Sequence, residues 1–455
     1  MTVQPDMKSR RYVVHEVAAC LVLALAIWLA SGTLSPYGDQ KGSIVVEPCH
    51  YLVNIDHWHH LAGFYLLAGA DESFWLGSVV LRRILYPIVA YPFVRALGFL
   101  AGGLLCNFVI TAAAMLAFGR FVRKRFGVRG AIAVLWLLAT YPGITYWAGL
   151  PYSYAAIVPA SLLAAMLLYR LDGAEKAREV FMVALLLGIV LLAYDLFAFF
   201  VPAAILILLR RRKPLWAVLA TVVAMSPMLV VDTMLTLVGV MPLNSNTVSY
   251  VNVVNAYLHP GPIGLWLPYL ERLPFVLVAN FFDSNFFFLP LLAVLAVVLC
   301  RRCIGRVEGA ILLAVLAVFL FNNAAPPYYG WQVRGLWIAR VYQAVFVALL
   351  LCVARAFAAE ARPAVLRAAT WVTVIANAAI AFGPVMMNPM AFYFDYRFYQ
   401  HVSPAVYAET LQLYGRRPLG ICRPTHEGDD RPAPPPSIMR PPFAFRPLPV
   451  PREPQ

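Results

Sequence analysis

One carboxylate, three imidazoles and two guanidiniums lie close together early in this chain: Asp56, His57, His59, His60, Arg82 and Arg83. The first four belong to the stretch YLVNIDHWHHLAGFYLLAG and the arginines to LRRILYPIVAYPF. Helical spacing puts Tyr51, Ile55, Trp58, Ala62, Tyr65 and Leu66 on one apolar face and Asp56, His59, His60 and Gly63 on the other. A short helix with aromatics on its apolar side is expected to lie along a membrane surface rather than cross it. One base that takes a proton from an attacking hydroxyl needs a single carboxylate. A departing phosphate is a weak base and needs cations more than a general acid. Asp56 is the expected catalytic base, and Arg82, Arg83 and Tyr86 are the expected phosphate- and substrate-binding residues. Two carboxylates, as glycoside hydrolysis requires, are not needed.

Each of these residues also has a plainer reading. Asp56 fits a solvated polar helix face, and Asp39 and the pair Asp71–Glu72 are its rivals as base. The arginines fit snorkelling to headgroups. The three histidines are too tightly spaced for one helix to aim all of them at one ion, and no zincin pattern follows. Interfacial histidines are the better reading, although His59 or His60 could join Asp56 around a divalent cation. Arg334 and Arg340 open a late apolar span, and a charge more than a turn inside such a span calls for a partner or ligand. Asp195, between two short apolar runs, falls under the same argument.

The elements that must carry these residues are membrane helices. The 455 residues are 62% hydrophobic and 13% charged, with a mean hydropathy of +0.74. Such a composition is expected of an all-α integral membrane protein. The net charge of +14 does not signal nucleic acid, because the cations sit in short clusters between apolar spans. Spans are expected at residues 13–30, 99–119, 131–147, 154–169, 215–238, 275–300, 307–321, 336–353 and 368–387. Residues 179–209 are too long for one span and too short for two full ones, and both flanks are basic, so a short hairpin turning near Tyr194–Asp195 is expected. The count is about eleven, with the N-terminus cytoplasmic and the C-terminus external. The first span reads as an anchor rather than a cleaved signal.

Residues 1–387 thus form the transmembrane domain, with external loops at 37–97 and 239–274. Residues 388–430 form an external tail with a short helix between Ser403 and Gly415, and the proline-rich 431–455 is expected to be disordered. Cys49 and Cys422, both on the expected external side, could pair. Cys300 and Cys303 form a CRRC run without the βαβ surroundings of a redox motif. Walker-type and dinucleotide-binding glycine motifs are absent.

The layout resembles the GT-C class of polytopic glycosyltransferases. Asp56 matches the aspartate that this class carries in its first external loop, and RRILYP is similar to the Arg-x-x-Tyr-Pro stretch of bacterial relatives. YPGITYWAGLPYSY is similar to the turn between the third and fourth spans, with Ser153-Tyr154 where many relatives have Ser-Glu. Arg340-Val341-Tyr342 loosely matches an arginine–tyrosine pair of a late span. The resemblance covers roughly residues 10–390 in layout. It implies a polyprenyl-phosphate-linked sugar as donor, a glycan, lipid or protein as acceptor, and a bacterial inner membrane as the location. Membrane lipid is the other expected partner, and nucleic acid is not. The competing readings are a multispanning transporter or lipid flippase, opposed by the lack of internal repeats, and a polysaccharide polymerase or ligase, which by family analogy would keep its main functional external loop late in the chain, whereas here the first loop is the largest.

Overall fold

The computed structural model describes residues 7–34, 67, 83–97, 99–149, 153–194, 196–237, 289–300, 304–324, 343–359 and 362–382. Among them every regular element is helical: α1 (Met7–Leu34), α2 (Leu85–Leu97), α3 (Phe99–Ala139), α4 (Pro142–Ala148), a 3-10 turn (Ser153–Ala156), α5 (Ile157–Gly173), α6 (Ala177–Leu191), α7 (Phe197–Arg210), α8 (Pro214–Leu237), α9 (Leu289–Leu299), α10 (Arg306–Ala324), α11 (Gln343–Ala358) and α12 (Pro363–Phe382). Among the described residues four stretches are long and apolar enough to cross a bilayer: Tyr12–Leu29, Ala101–Ala139, Ser153–Gly173 and Pro214–Leu237. The chain is a helical membrane protein.

Burial follows a lipid-facing logic. On α1 the residues Val14, Val17, Leu21, Leu25 and Trp28 form an exposed apolar stripe, while Tyr12, Ala19, Leu23 and Ala26 are buried. Apolar residues on every side are what a helix needs when one face meets protein and the other meets hydrocarbon. Lipid is as apolar as leucine, so packing and close backbone approach hold such helices together. Gly188 of α6 lies against the Ala224 carbonyl of α8, where a Cβ would collide.

The 41 residues of α3 are two helices joined at Gly127, whose φ of 86° is open to glycine and strained for other residues. A Cβ on Gly119 would meet the Leu135 side chain at 2.7 Å, although the two positions would stand about 24 Å apart on a straight helix. The chain therefore doubles back at Gly127, between Arg123, Lys124 and Arg125 on one side and Arg129 on the other. The hydropathy predicts an end to the first arm at residue 119; the helix runs on through its basic stretch to the turn. It also predicts one continuous span over residues 131–147. The helix instead stops at Ala139 and restarts at Pro142, because the residue before a proline is driven out of the helical region; Tyr141 sits at φ −68°, ψ 116°.

The 31-residue anomaly resolves into α6 and α7. The start of α6 and the end of α7 meet, since Arg211 Nη1 donates to the carbonyls of Leu171 (3.0 Å) and Ala174 (2.6 Å) at the close of α5. α5 and α8 each pack against both arms.

The helix ends rich in cations are tied together. Tyr169 of α5 donates its hydroxyl to Glu308 Oε1 of α10 (2.5 Å), and Arg355 of α11 pairs with the same oxygen at 2.9 Å. The Arg355 guanidinium also stands 5.2 Å from the Phe126 ring, beside the Gly127 turn. Arg210 Nη1 reaches the Arg306 carbonyl at 3.4 Å, and Glu16 of α1 pairs with Arg120 at 2.9 Å. Loops that are separate in sequence thus share one end of the bundle.

Candidate functional site

The opposite end is aromatic. α5 carries Tyr169 into the basic end, and Tyr154, fifteen residues earlier and about 22 Å away along the axis, stands at the other. Three connections meet there: the residues entering α2, the α4 to 3-10 turn, and the turn from α6 to α7.

Arg83 occupies the middle of this meeting point. It is 8% exposed, with its guanidinium carbon 4.1 Å from the Tyr194 ring centroid and 5.9 Å from that of Tyr154. Tyr154 in turn stands edge-on to Trp147, at 4.8 Å, and to Tyr194, at 5.7 Å. A guanidinium against tyrosine faces in a desolvated setting is held by about 2 kcal/mol or more. Its N–H groups donate in the guanidinium plane, which is the geometry of bidentate phosphate recognition.

Tyr86, one turn later, is buried and gives its hydroxyl proton to Asn107 Oδ1 of α3 at 2.7 Å. Asn107 Nδ2 donates to the Ala148 carbonyl, the last residue of α4, at 3.0 Å. Burial raises the Tyr86 phenol well above its ordinary range, so it remains a donor at any physiological pH. This chain of bonds fastens α2 to α3 and to the end of α4, and so sets Arg83 against the turn that carries Trp147 and Tyr154.

Local chemistry explains why the pieces can meet. Pro142 opens α4, and Thr145 Oγ1 folds back on the Pro142 carbonyl at 3.0 Å. The Gly149 N–H closes the helix on the Thr145 carbonyl at 3.0 Å. Tyr141 stacks on Phe346 of α11 with ring centroids 3.6 Å apart, which anchors the base of the turn. The chain leaves α6 through Leu192, whose N–H bonds the Ile189 carbonyl, and the Leu196 N–H closes on the Tyr194 carbonyl at 2.7 Å.

Of the residues singled out in sequence, Arg83 and Tyr86 lie in this cluster. Asp39, Asp56, His57, His59, His60, Arg82, Asp195, Arg334 and Arg340 lie outside the described residues, as do Cys49, Cys422 and the tail helix. Among the described residues no group of three His, Cys, Asp or Glu side chains could hold a metal ion; the expected cation set falls on the residues outside. Sequence reasoning missed Asn107, whose signal is a lone carboxamide in the apolar run LLCNFVIT. It also missed the Tyr169–Glu308–Arg355 group, whose signal is an ionisable residue inside an apolar window. Compared with known proteins, the chain matches no family model, and no curated protein and no solved structure is similar to it.

Proposed function

We propose that this chain is a membrane glycosyltransferase, which moves a sugar from a polyprenyl-phosphate donor to a glycan, lipid or protein acceptor on the non-cytoplasmic face. The observation that supports the reading best is Arg83: a buried guanidinium framed by Tyr154 and Tyr194, at the end of the bundle opposite the basic loops. Basic loops favour the cytoplasm, which leaves the aromatic end on the other side. In this reading Asp56 takes the proton of the acceptor hydroxyl, and Arg83, with Arg82, holds the donor phosphate and stabilises it as it departs. Arg334 and Arg340 of the later span are the further phosphate ligands.

The test is sugar release from a labelled polyprenyl-phosphate donor by the full-length protein in membranes. Asp56→Asn lowers turnover by about 10²–10⁴, the worth of a positioned base. Arg83→Ala weakens donor binding more than acceptor binding. A protein that releases no sugar but moves the intact lipid between leaflets is a flippase. Wild-type transfer by Asp56→Asn, with loss of transfer in Asp39→Asn or Asp195→Asn, reassigns the base.

A further inference from the structure

We propose that the turn from α7 to α8 is a binding site for an anionic phospholipid, with Arg212 and Lys213 on the headgroup phosphate and the outer face of α8 along an acyl chain. This inference rests on the membrane character of the chain and is independent of the transferase reading.

The backbone supplies the first observation. Among the described residues only two non-glycine positions have positive φ, and both are exposed arginines in turns at the basic end: Arg212 at 59° and Arg362 at 44°. The left-handed region is costly for a residue with a Cβ, and glycine or asparagine would relieve it. At Arg212 the left-handed residue closes α7: its N–H bonds the Leu209 carbonyl at 2.8 Å and the Lys213 N–H bonds the Leu208 carbonyl at 3.0 Å, which fixes both cations at the helix end.

The neighbouring cations supply the second. Arg210 Nη1 faces the Arg306 carbonyl at 3.4 Å, and Arg211 is tied to the Leu171 and Ala174 carbonyls. Lys213 lies between the Glu175 carbonyl, at 3.5 Å, and the Trp216 ring, 3.7 Å from its centroid. Arg212, between Arg211 and Lys213, is exposed. The adjoining loop carries the carboxylates Asp172, Glu175 and Glu179. Glu179 accepts from the backbone N–H groups of Glu175 (3.1 Å) and Lys176 (3.4 Å) at the start of α6, and Arg170, Lys176 and Arg178 balance Asp172, Glu175 and Glu179 in number.

The third lies directly below the turn. The spanning window of α8 is only 17% buried, and Leu215, Val218, Leu219 and Val222 form one exposed strip from its first turn downward. Trp216 beside the strip is the kind of amphipathic ring that settles at headgroup level. Two cations set above an apolar strip match a phosphate headgroup set above an acyl chain. The strip faces hydrocarbon in any case, so an acyl chain is at hand below the cations; a zwitterionic lipid brings its own cation beside the phosphate, and two protein cations therefore favour a lipid of net negative charge.

The experiment titrates the detergent-solubilised full-length protein with phosphatidylglycerol or phosphatidylcholine of identical chains and counts retained lipids by native mass spectrometry. Wild type retains phosphatidylglycerol in preference. Arg212→Asn combined with Lys213→Gln weakens that binding roughly twenty-five-fold, at about fivefold per cation, and leaves phosphatidylcholine unchanged. Asparagine accepts the left-handed backbone, so the turn survives. Arg212→Lys keeps most of the binding, and Arg129→Gln, in the Gly127 turn, leaves it intact. Equal retention of both lipids by wild type, unchanged retention by the double variant, or an equal loss in Arg129→Gln overturns the proposal. So does displacement of the bound lipid by inorganic phosphate at matched ionic strength.

Discussion

A single carboxamide decides how the candidate site is held. Asn107 accepts from Tyr86 and donates to Ala148, so its replacement leaves a buried hydroxyl and a buried carbonyl facing a side chain that answers neither. Asn107→Leu, of similar size, is expected to cost about 1–3 kcal/mol. The lower part of that range is favoured, because polar bonds between membrane helices average only about 0.6 kcal/mol each. Tyr86→Phe removes one of the two bonds and costs less. The double variant should be less destabilised than the two single variants added together, since both delete the same contact. Melting temperatures of the four proteins in one detergent measure this; strictly additive losses would mean that the Tyr86–Asn107 bond contributes nothing.

Among the elements, two ion pairs of equal length are expected to differ in worth. Arg355–Glu308 and Arg120–Glu16 both measure 2.9 Å. Glu308 has no exposed side-chain surface, and removing Arg355 strands its charge among α5, α10 and α11; Arg355→Ala is expected to cost about 3–5 kcal/mol. Arg120 is 65% exposed, and Glu16, although only 9% exposed, keeps contact with water where Glu308 keeps none, so Arg120→Ala is expected to cost less than Arg355→Ala. Adding Glu308→Gln to Arg355→Ala recovers part of the loss, because the stranded charge is then gone. The same thermal measurement applies, and equal shifts for the two alanine variants would refute the distinction. Much at this scale was legible. Cations on both sides of residues 179–209 called for a hairpin, and the basic run around Gly127 called for a turn. The partners of Glu308 and Asn107 were not legible. Glu308 and Arg355 are 47 residues apart and Asn107 and Ala148 are 41 apart, and neither distance is periodic in anything the sequence shows. Pro142 marks the break in the third span, but the apolar run that continues across it hides the break from hydropathy.

For the whole molecule, sidedness is the property on which the transferase and lipid readings both depend. α6 and α7 have 15 and 14 residues, and so rise about 22 Å and 21 Å, short of the ~30 Å hydrocarbon core. Two such helices could be taken for one tilted span, which would put the Gly127 turn and the α7–α8 turn on opposite sides of the membrane. The contacts oppose that. Arg211 bonds back to Leu171 and Ala174, and Arg210 to Arg306, so the connection after α7 returns to the end from which α6 began. Reporters fused after Arg129 and after Arg212 are therefore expected on the same side, and the basic-loop rule makes that side cytoplasmic. Fusions after Asp39, Asn255 and Gly420 are expected outside, on the side of Arg83. Opposite signals from Arg129 and Arg212 would break the hairpin and invert every later span. A shared external signal would keep the bundle, but it would place the aromatic cluster in the cytoplasm, out of reach of an external acceptor.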